Sequence, residues 1–360
     1  MELNFERHRL IVVVGSGGVG KTTLAASLAL TAARGGRDTL VMTFDPSLRL
    51  KDALGVGDKA RDREIRVETD TPGTLHASLL DAKRTFDRLV ERHAPDRAAA
   101  ERILRNRFYE HLAGSLTGIL EYMAVERLYE VAADERYANV ILDTPPTRQA
   151  LDFLEAPERI VSFLDSGAIE FALRPWFDER GHLRAATWLG FMGKHVESFF
   201  DRVAGLGLLR DMAEFFQAFA PLYEGFRERA LKVQELLRSQ ETAFVLVAGP
   251  GAEQIPDTMF FARRLEEAGY RLGPVVVNRV HPRIPAPPAS RTHDPAAVEA
   301  GRLFHWLGDR DHRGLAELQS LLPGRPLASI GLRPEPPTDL GSMESLASEL
   351  AGVPASQVTE

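Results

Sequence analysis

The 360-residue chain contains no cysteine. Disulfides, thiolate zinc sites and a cysteine nucleophile are therefore excluded. No apolar run approaches the ~20 residues that a membrane span needs. The run at residues 10–14 is too short for a signal-peptide core. Basic residues are also in short supply: 44 Lys and Arg face 51 Asp and Glu, for a net charge of −7. That balance argues against a broad nucleic-acid surface, which needs clustered cations. The histidines show no metal-ligand spacing. A cytoplasmic protein is the expectation, with no nucleic-acid partner and no stable membrane insertion.

What is present is an alternation of buried strands and helices. Short Val/Ile/Leu runs at 10–14, 140–142, 244–247 and 275–277, with a weaker one at 39–44, read as strands covered on both faces. Helical patterns lie between them at 21–33, 77–92, 114–133 and 258–268. The alternation predicts an α/β fold with a doubly wound, mostly parallel sheet. Residues 1–150 read as the first part of the core and 241–340 as the second, with a tail at 341–360 holding one short helix. Between the two parts, residues 151–240 carry no strand signal and read as an inserted helical subdomain. Two Pro-rich stretches follow, at 281–295 and 323–337, the first read as an exposed loop.

The segment Gly15-Ser16-Gly17-Gly18-Val19-Gly20-Lys21-Thr22 fits G-x-x-x-x-G-K-S/T, placed after a strand and before a helix as that motif requires. Glycines let the backbone curl its N–H groups toward phosphates, and the following helix adds its positive end. The reading assigns Gly17, Gly18, Val19 and Gly20 to the phosphate cradle and Lys21 to the β- and γ-phosphates. It makes Thr22 a Mg²⁺ ligand and places Thr23 at the α-phosphate. The ligand so predicted is ATP or ADP with Mg²⁺. Gly15, Gly17 and Gly20 also satisfy G-x-G-x-x-G, with Asp45 where a ribose carboxylate would sit, so a dinucleotide-binding oxidoreductase is a rival. Lys21-Thr22 counts against it.

Carboxylates at strand ends beside such a loop supply charge and orient water. Asp143 closes one strand ahead of Thr144-Pro145-Pro146-Thr147 and is read as holding Mg²⁺ through water. Asp45 ends another and is read as positioning the attacking water. The catalytic set is thus Lys21, Asp45 and Asp143. Asn278 ends the last apolar strand, where its amide suits an adenine edge.

With these residues in view, the chain resembles the ArsA-type anion-transporting ATPases, the group that holds the arsenical-pump ATPase and the tail-anchored-protein targeting ATPase. These share a P-loop class with MinD and ParA. The likeness runs through residues 15–23, Asp45-Pro46 with Leu50 and Asp52, and residues 115–121. It continues through Asp143-Thr144-Pro145-Pro146-Thr147 with Leu151, Phe153-Leu154 and Pro157, and ends at Asn278. It implies that Asp45 lies in switch I, Asp143 in switch II and Asn278 at adenine, in a dimer that opens and closes with the ATP cycle. Three departures stand out. Ser16 replaces the Lys that reaches across the family dimer, which points to slow hydrolysis, another cation, or a paralogous partner that brings the Lys. The missing cysteines remove the zinc site that clamps the targeting dimer, so no zinc is expected. They also remove any soft site for arsenite.

Eleven of the nineteen Phe residues fall between Phe153 and Phe226, so the insertion must bury or bind something. Phe199, Phe200, Met212, Phe215, Phe216, Phe219, Tyr223 and Phe226 recur at helical spacing, with Trp188 and Met192 upstream. One reading is a helical core. The other, implied by the targeting branch, is an apolar groove for a hydrophobic client. Beside an ATP-hydrolysing enzyme, two further functions stay open: a nucleotide-switched binding module with negligible hydrolysis, and a ParA- or MinD-like positioning ATPase.

Overall fold

The computed structural model of the chain describes residues 3–45, 49–57, 60, 61, 63–114, 119–166, 206–287 and 295–352. Its centre is an eight-stranded sheet in the order β3-β4-β2-β5-β1-β6-β7-β8. The strands are β1 (Leu10–Gly15), β2 (Thr39–Thr43), β3 (Ile65–Arg66), β4 (Leu75–Leu79), β5 (Asn139–Asp143), β6 (Thr242–Ala248), β7 (Leu272–Val280) and β8 (Leu327–Gly331). Every pairing is parallel except that of the two-residue β3 with β4. β1, β2, β5 and β6 are buried along their whole length, which explains why they read as continuous apolar runs rather than alternating ones. This is the doubly wound sheet that the sequence predicts.

Twelve α-helices are described: α1 (Lys21–Arg34), α2 (Arg49–Leu54), α3 (Ala82–His93), α4 (Arg97–Leu104), α5 (Arg107–Gly114), α6 (Ile119–Ala132), α7 (Thr147–Asp165), α8 (Leu206–Phe219), α9 (Tyr223–Arg238), α10 (Ile255–Glu267), α11 (Pro295–Leu321) and α12 (Leu340–Gly352). One expectation is corrected. Residues 77–79, read as the start of a helix, belong to β4, and the helix begins at Ala82. Leu75, Ala77 and Leu79 are buried at a spacing of two, and Asp81 caps the next helix by accepting from the Arg84 N–H (3.1 Å).

The chain divides into two compact units. The first holds Met1–Leu80, Val131–Leu151 and Leu236–Glu360, and with them the sheet. Its core lies between the sheet, α1 and α12, where Leu24, Leu28, Val41, Val245, Met343 and Leu346 are all buried. Arg34 of α1 donates to the Glu344 carbonyl of α12 (2.8 Å), and Thr31 donates to Ala347 O (3.3 Å). The C-terminal helix therefore covers α1, the helix that follows the phosphate loop.

The second unit holds Asp81–Glu130 and Asp152–Glu235. Its described part is helical, and its core is aromatic. Phe86 stacks on Tyr109 (ring centroids 4.8 Å apart) and on Phe219 (5.6 Å), and Phe215 stacks on Phe219 (5.5 Å). Phe215, Phe219 and Phe226 are buried, so these members of the aromatic series form a core. Trp188, Met192, Phe199 and Phe200 lie outside the described residues, as does the Met212 side chain.

Candidate functional site

β1 runs at the middle of the sheet between β5 and β6, and at its C-terminal end the chain turns through residues 15–20 into α1. Two glycines make that turn feasible. Gly18 has φ +77° and Gly20 has φ +97°, in the left-handed region that side chains disfavour. A Cβ at Gly20 would also collide with the Asn278 amide. The Gly20 carbonyl accepts from the Leu24 N–H (3.0 Å), opening α1 directly behind the loop.

Lys21 is 7% exposed, and its Nζ donates to the carbonyls of Gly15 (3.0 Å) and Ser16 (2.9 Å). An ammonium group has three N–H donors, so one remains after it has clasped its own loop. Burial lowers the Lys21 pKa, and the nearby Asp143 and Asp45 carboxylates oppose that shift. Thr22 and Thr23 follow in the first turn of α1.

Strand register brings the acidic residues to this loop. On β5, Asp143 is paired in register with Val13 of β1 on one side and with Thr43 of β2 on the other. It is fully buried, and its Oδ2 accepts from the hydroxyls of Thr22 (2.8 Å) and Thr43 (2.9 Å). Its Oδ1 is buried with no hydrogen-bond partner among the described residues. Burial raises this carboxyl to about 6, against the pull of the two threonine hydroxyls and Lys21. Asp45 follows β2, half-buried, and its backbone N–H donates to Thr43 Oγ1 (3.0 Å). Thr43 thus links the Asp45 backbone to the Asp143 carboxylate.

Asn278 approaches from β7. Its Nδ2 donates to the Val19 carbonyl (2.8 Å), and its Oδ1 accepts from the Arg279 N–H (3.0 Å). Each end of an amide has two hydrogen-bonding positions, so one donor and one acceptor position remain beyond these contacts. Ser16 is largely buried, and its hydroxyl faces Asp257 Oδ2 at 3.5 Å.

The structure therefore gathers Gly17, Gly18, Val19, Gly20, Lys21, Thr22, Thr23, Asp45, Asp143 and Asn278 around one loop. Sequence reasoning gave no role to Thr43, Thr144, Asp257 or Arg279. Thr144 is buried and ties the segment after β5 to β1 by donating to Val13 O (2.8 Å). The one available signal was the hydroxyl residue Thr43 directly after the apolar run 40–42 and two residues ahead of Asp45. Pro46 of the resemblance lies outside the described residues, as do residues 115–118.

A parallel sheet with a glycine-rich loop between its central strand and the next helix, and a carboxylate on the neighbouring strand, defines the P-loop nucleotide-binding fold. Among known families, the model of the anion-transporting ATPase family matches residues 8–293. The chain belongs to that family. An uncharacterized protein of Streptomyces coelicolor is 29% identical to it over 314 residues, covering 86% of this chain and 72% of the relative. ATPase GET3 of Zygosaccharomyces rouxii is 29% identical over 258 residues, covering 65% and 70%. ATPase GET3B of Arabidopsis thaliana is 26% identical over 287 residues, covering 77% and 65%. Among the described residues, no helix is long and apolar enough to cross a membrane.

Proposed function

We propose that this chain binds Mg·ATP on residues 17–23 and hydrolyses it to ADP and phosphate. The observation that carries the proposal is the buried Asp143 carboxylate, hydrogen-bonded to the Thr22 hydroxyl, with its second oxygen unpartnered among the described residues. Magnesium takes one or two protein ligands and fills its remaining positions with waters and phosphate oxygens. A threonine hydroxyl and one spare carboxylate oxygen fit that demand. Bound there, the ion would neutralise charge on the β- and γ-phosphates.

The protein's own groups do the rest. The third N–H of Lys21 serves the phosphates, and the loop amides and the α1 N-terminus face the same charge. Asp45, at the strand end beside Asp143, orients the attacking water. Asn278 offers its remaining donor and acceptor positions to the adenine edge. A dinucleotide ligand would use neither Lys21 nor Thr22 in these ways.

The family resemblance extends the proposal to a dimer, either of two identical chains or with a paralogue, that rearranges with nucleotide state. It extends also to a hydrophobic client on the second unit, although the buried Phe215, Phe219 and Phe226 belong to that unit's core. Ser16 favours a second reading, a nucleotide-switched binder that hardly hydrolyses, because it brings no charge across a dimer.

The test is phosphate release and Mg·ATP affinity in wild type and Asp45→Asn. Affinity within about threefold of wild type, with release down at least about 100-fold, fits a residue that acts on water rather than on binding. Full activity in Asp45→Asn removes Asp45 from the mechanism. Tight binding without measurable release in wild type selects the switch.

A further inference from the structure

Arg279 has the only positive φ (65°) found at a non-glycine among the described residues. It lies where the pairing of β7 with β8 shifts register: Asn278 opposes Ile330 and Val280 opposes Gly331, so Arg279 is the extra residue. Such a bulge re-aims a side chain, and the left-handed position at one is normally a glycine's. Here the re-aimed side chain reaches the phosphate loop, where Arg279 Nη1 donates to the Gly18 carbonyl (3.0 Å). The preceding residue, Asn278, donates to the next carbonyl, that of Val19 (2.8 Å).

The consequence follows from peptide geometry. In a trans peptide the N–H points opposite to the C=O, and the described residues contain no cis bond. Fixing the Gly18 carbonyl toward Arg279 turns the Val19 N–H the other way. Fixing the Val19 carbonyl toward Asn278 does the same to the Gly20 N–H. Gly18 and Gly20 are the two residues in this stretch whose left-handed backbone leaves these peptides freest to rotate.

We propose that Arg279 is a positioning residue of the nucleotide site, holding the phosphate-loop amides of Val19 and Gly20 in their anion-facing orientation. The inference rests on the ATP reading for its ligand, while the hydrogen bonds of Arg279 and Asn278 to the loop carbonyls stand independently of it.

The experiment compares full-length wild type with Arg279→Ala, Arg279→Gly and Arg279→Lys. Mg·ATP affinity is titrated, and hydrogen exchange across residues 15–23 is followed without nucleotide. Arg279→Gly removes the guanidinium while relieving the left-handed backbone, so its melting temperature should stay within about 3 °C of wild type. The expected result is a three- to tenfold loss of Mg·ATP affinity in the Ala and Gly variants, with faster exchange in 15–23, both largely recovered by Arg279→Lys. Wild-type affinity in the Ala and Gly variants would overturn the proposal. So would weakened affinity with unchanged loop exchange, which would move Arg279 to the base instead. Failure of wild type to bind Mg·ATP sinks the ATP reading, while the exchange comparison still judges Arg279.

Discussion

Asp143 is held in a conflict between charge and burial. It accepts two threonine hydroxyls and faces Lys21, yet full burial still raises its carboxyl from 3.8 to about 6. Between those two values the folded chain holds a proton that the unfolded chain has lost. The stability owed to this group is therefore greatest below about pH 4 and falls as the pH rises through about 6. Asp143→Asn removes the buried charge. In metal-free buffer at pH 7.5 it should melt higher than wild type, on the order of 3 °C, with the gap closing toward pH 5. The same variant should lose Mg²⁺-dependent phosphate release. A lower melting point at pH 7.5 would mean that the carboxylate stabilises the empty site. Thr43 makes a related case, since its hydroxyl serves both Asp143 and the Asp45 N–H. Thr43→Val removes one hydrogen bond from each. It should cost about 1–3 kcal/mol in urea unfolding and slow hydrolysis more than it weakens binding.

Among the elements, the central strands were legible because being covered on both faces forces continuous apolar runs, as in Val12 to Val14 and Val140 to Leu142. The phosphate loop was legible because glycine, Lys21 and Thr22 are each demanded by geometry or charge. The strands that sequence reading missed lie toward the sheet's edges. β4 is short and carries His76 and Ser78, and β8 alternates buried with more exposed residues, so neither makes a continuous apolar run. The Arg279 bulge was invisible because a non-glycine in the left-handed region leaves no compositional mark. The tail was expected to hold one short helix, and α12 is that helix. Its Met343, Leu346, Ala347 and Leu350 are buried in the core that contains α1. Leu346→Ala should therefore cost about 2–4 kcal/mol in chemical denaturation, far more than loss of an exposed tail side chain. A change below about 0.5 kcal/mol would show that α12 does not support α1.

For the whole molecule, the open quantity is how fast the ATP cycle turns. A charge delivered across a subunit boundary to a transferring phosphoryl group is worth on the order of 10³–10⁵ in rate. Ser16 delivers none, and its hydroxyl faces Asp257 instead. If two identical chains meet at their phosphate loops, Ser16→Lys should raise phosphate release at least about tenfold, measured at concentrations where ATP drives dimerisation. An unchanged rate would place the charge elsewhere or the partner in another chain.

The measurement closest to the heart of this account is equilibrium titration of Mg·ATP into wild type and Lys21→Ala. Lys21 clasps the loop carbonyls beside the Asp143 and Asp45 carboxylates, and if it also serves the phosphates as proposed, its removal should weaken ATP at least about 100-fold while the chain stays folded. Equal affinity in the two proteins, or preference of wild type for a nicotinamide or flavin dinucleotide over ATP, would contradict it.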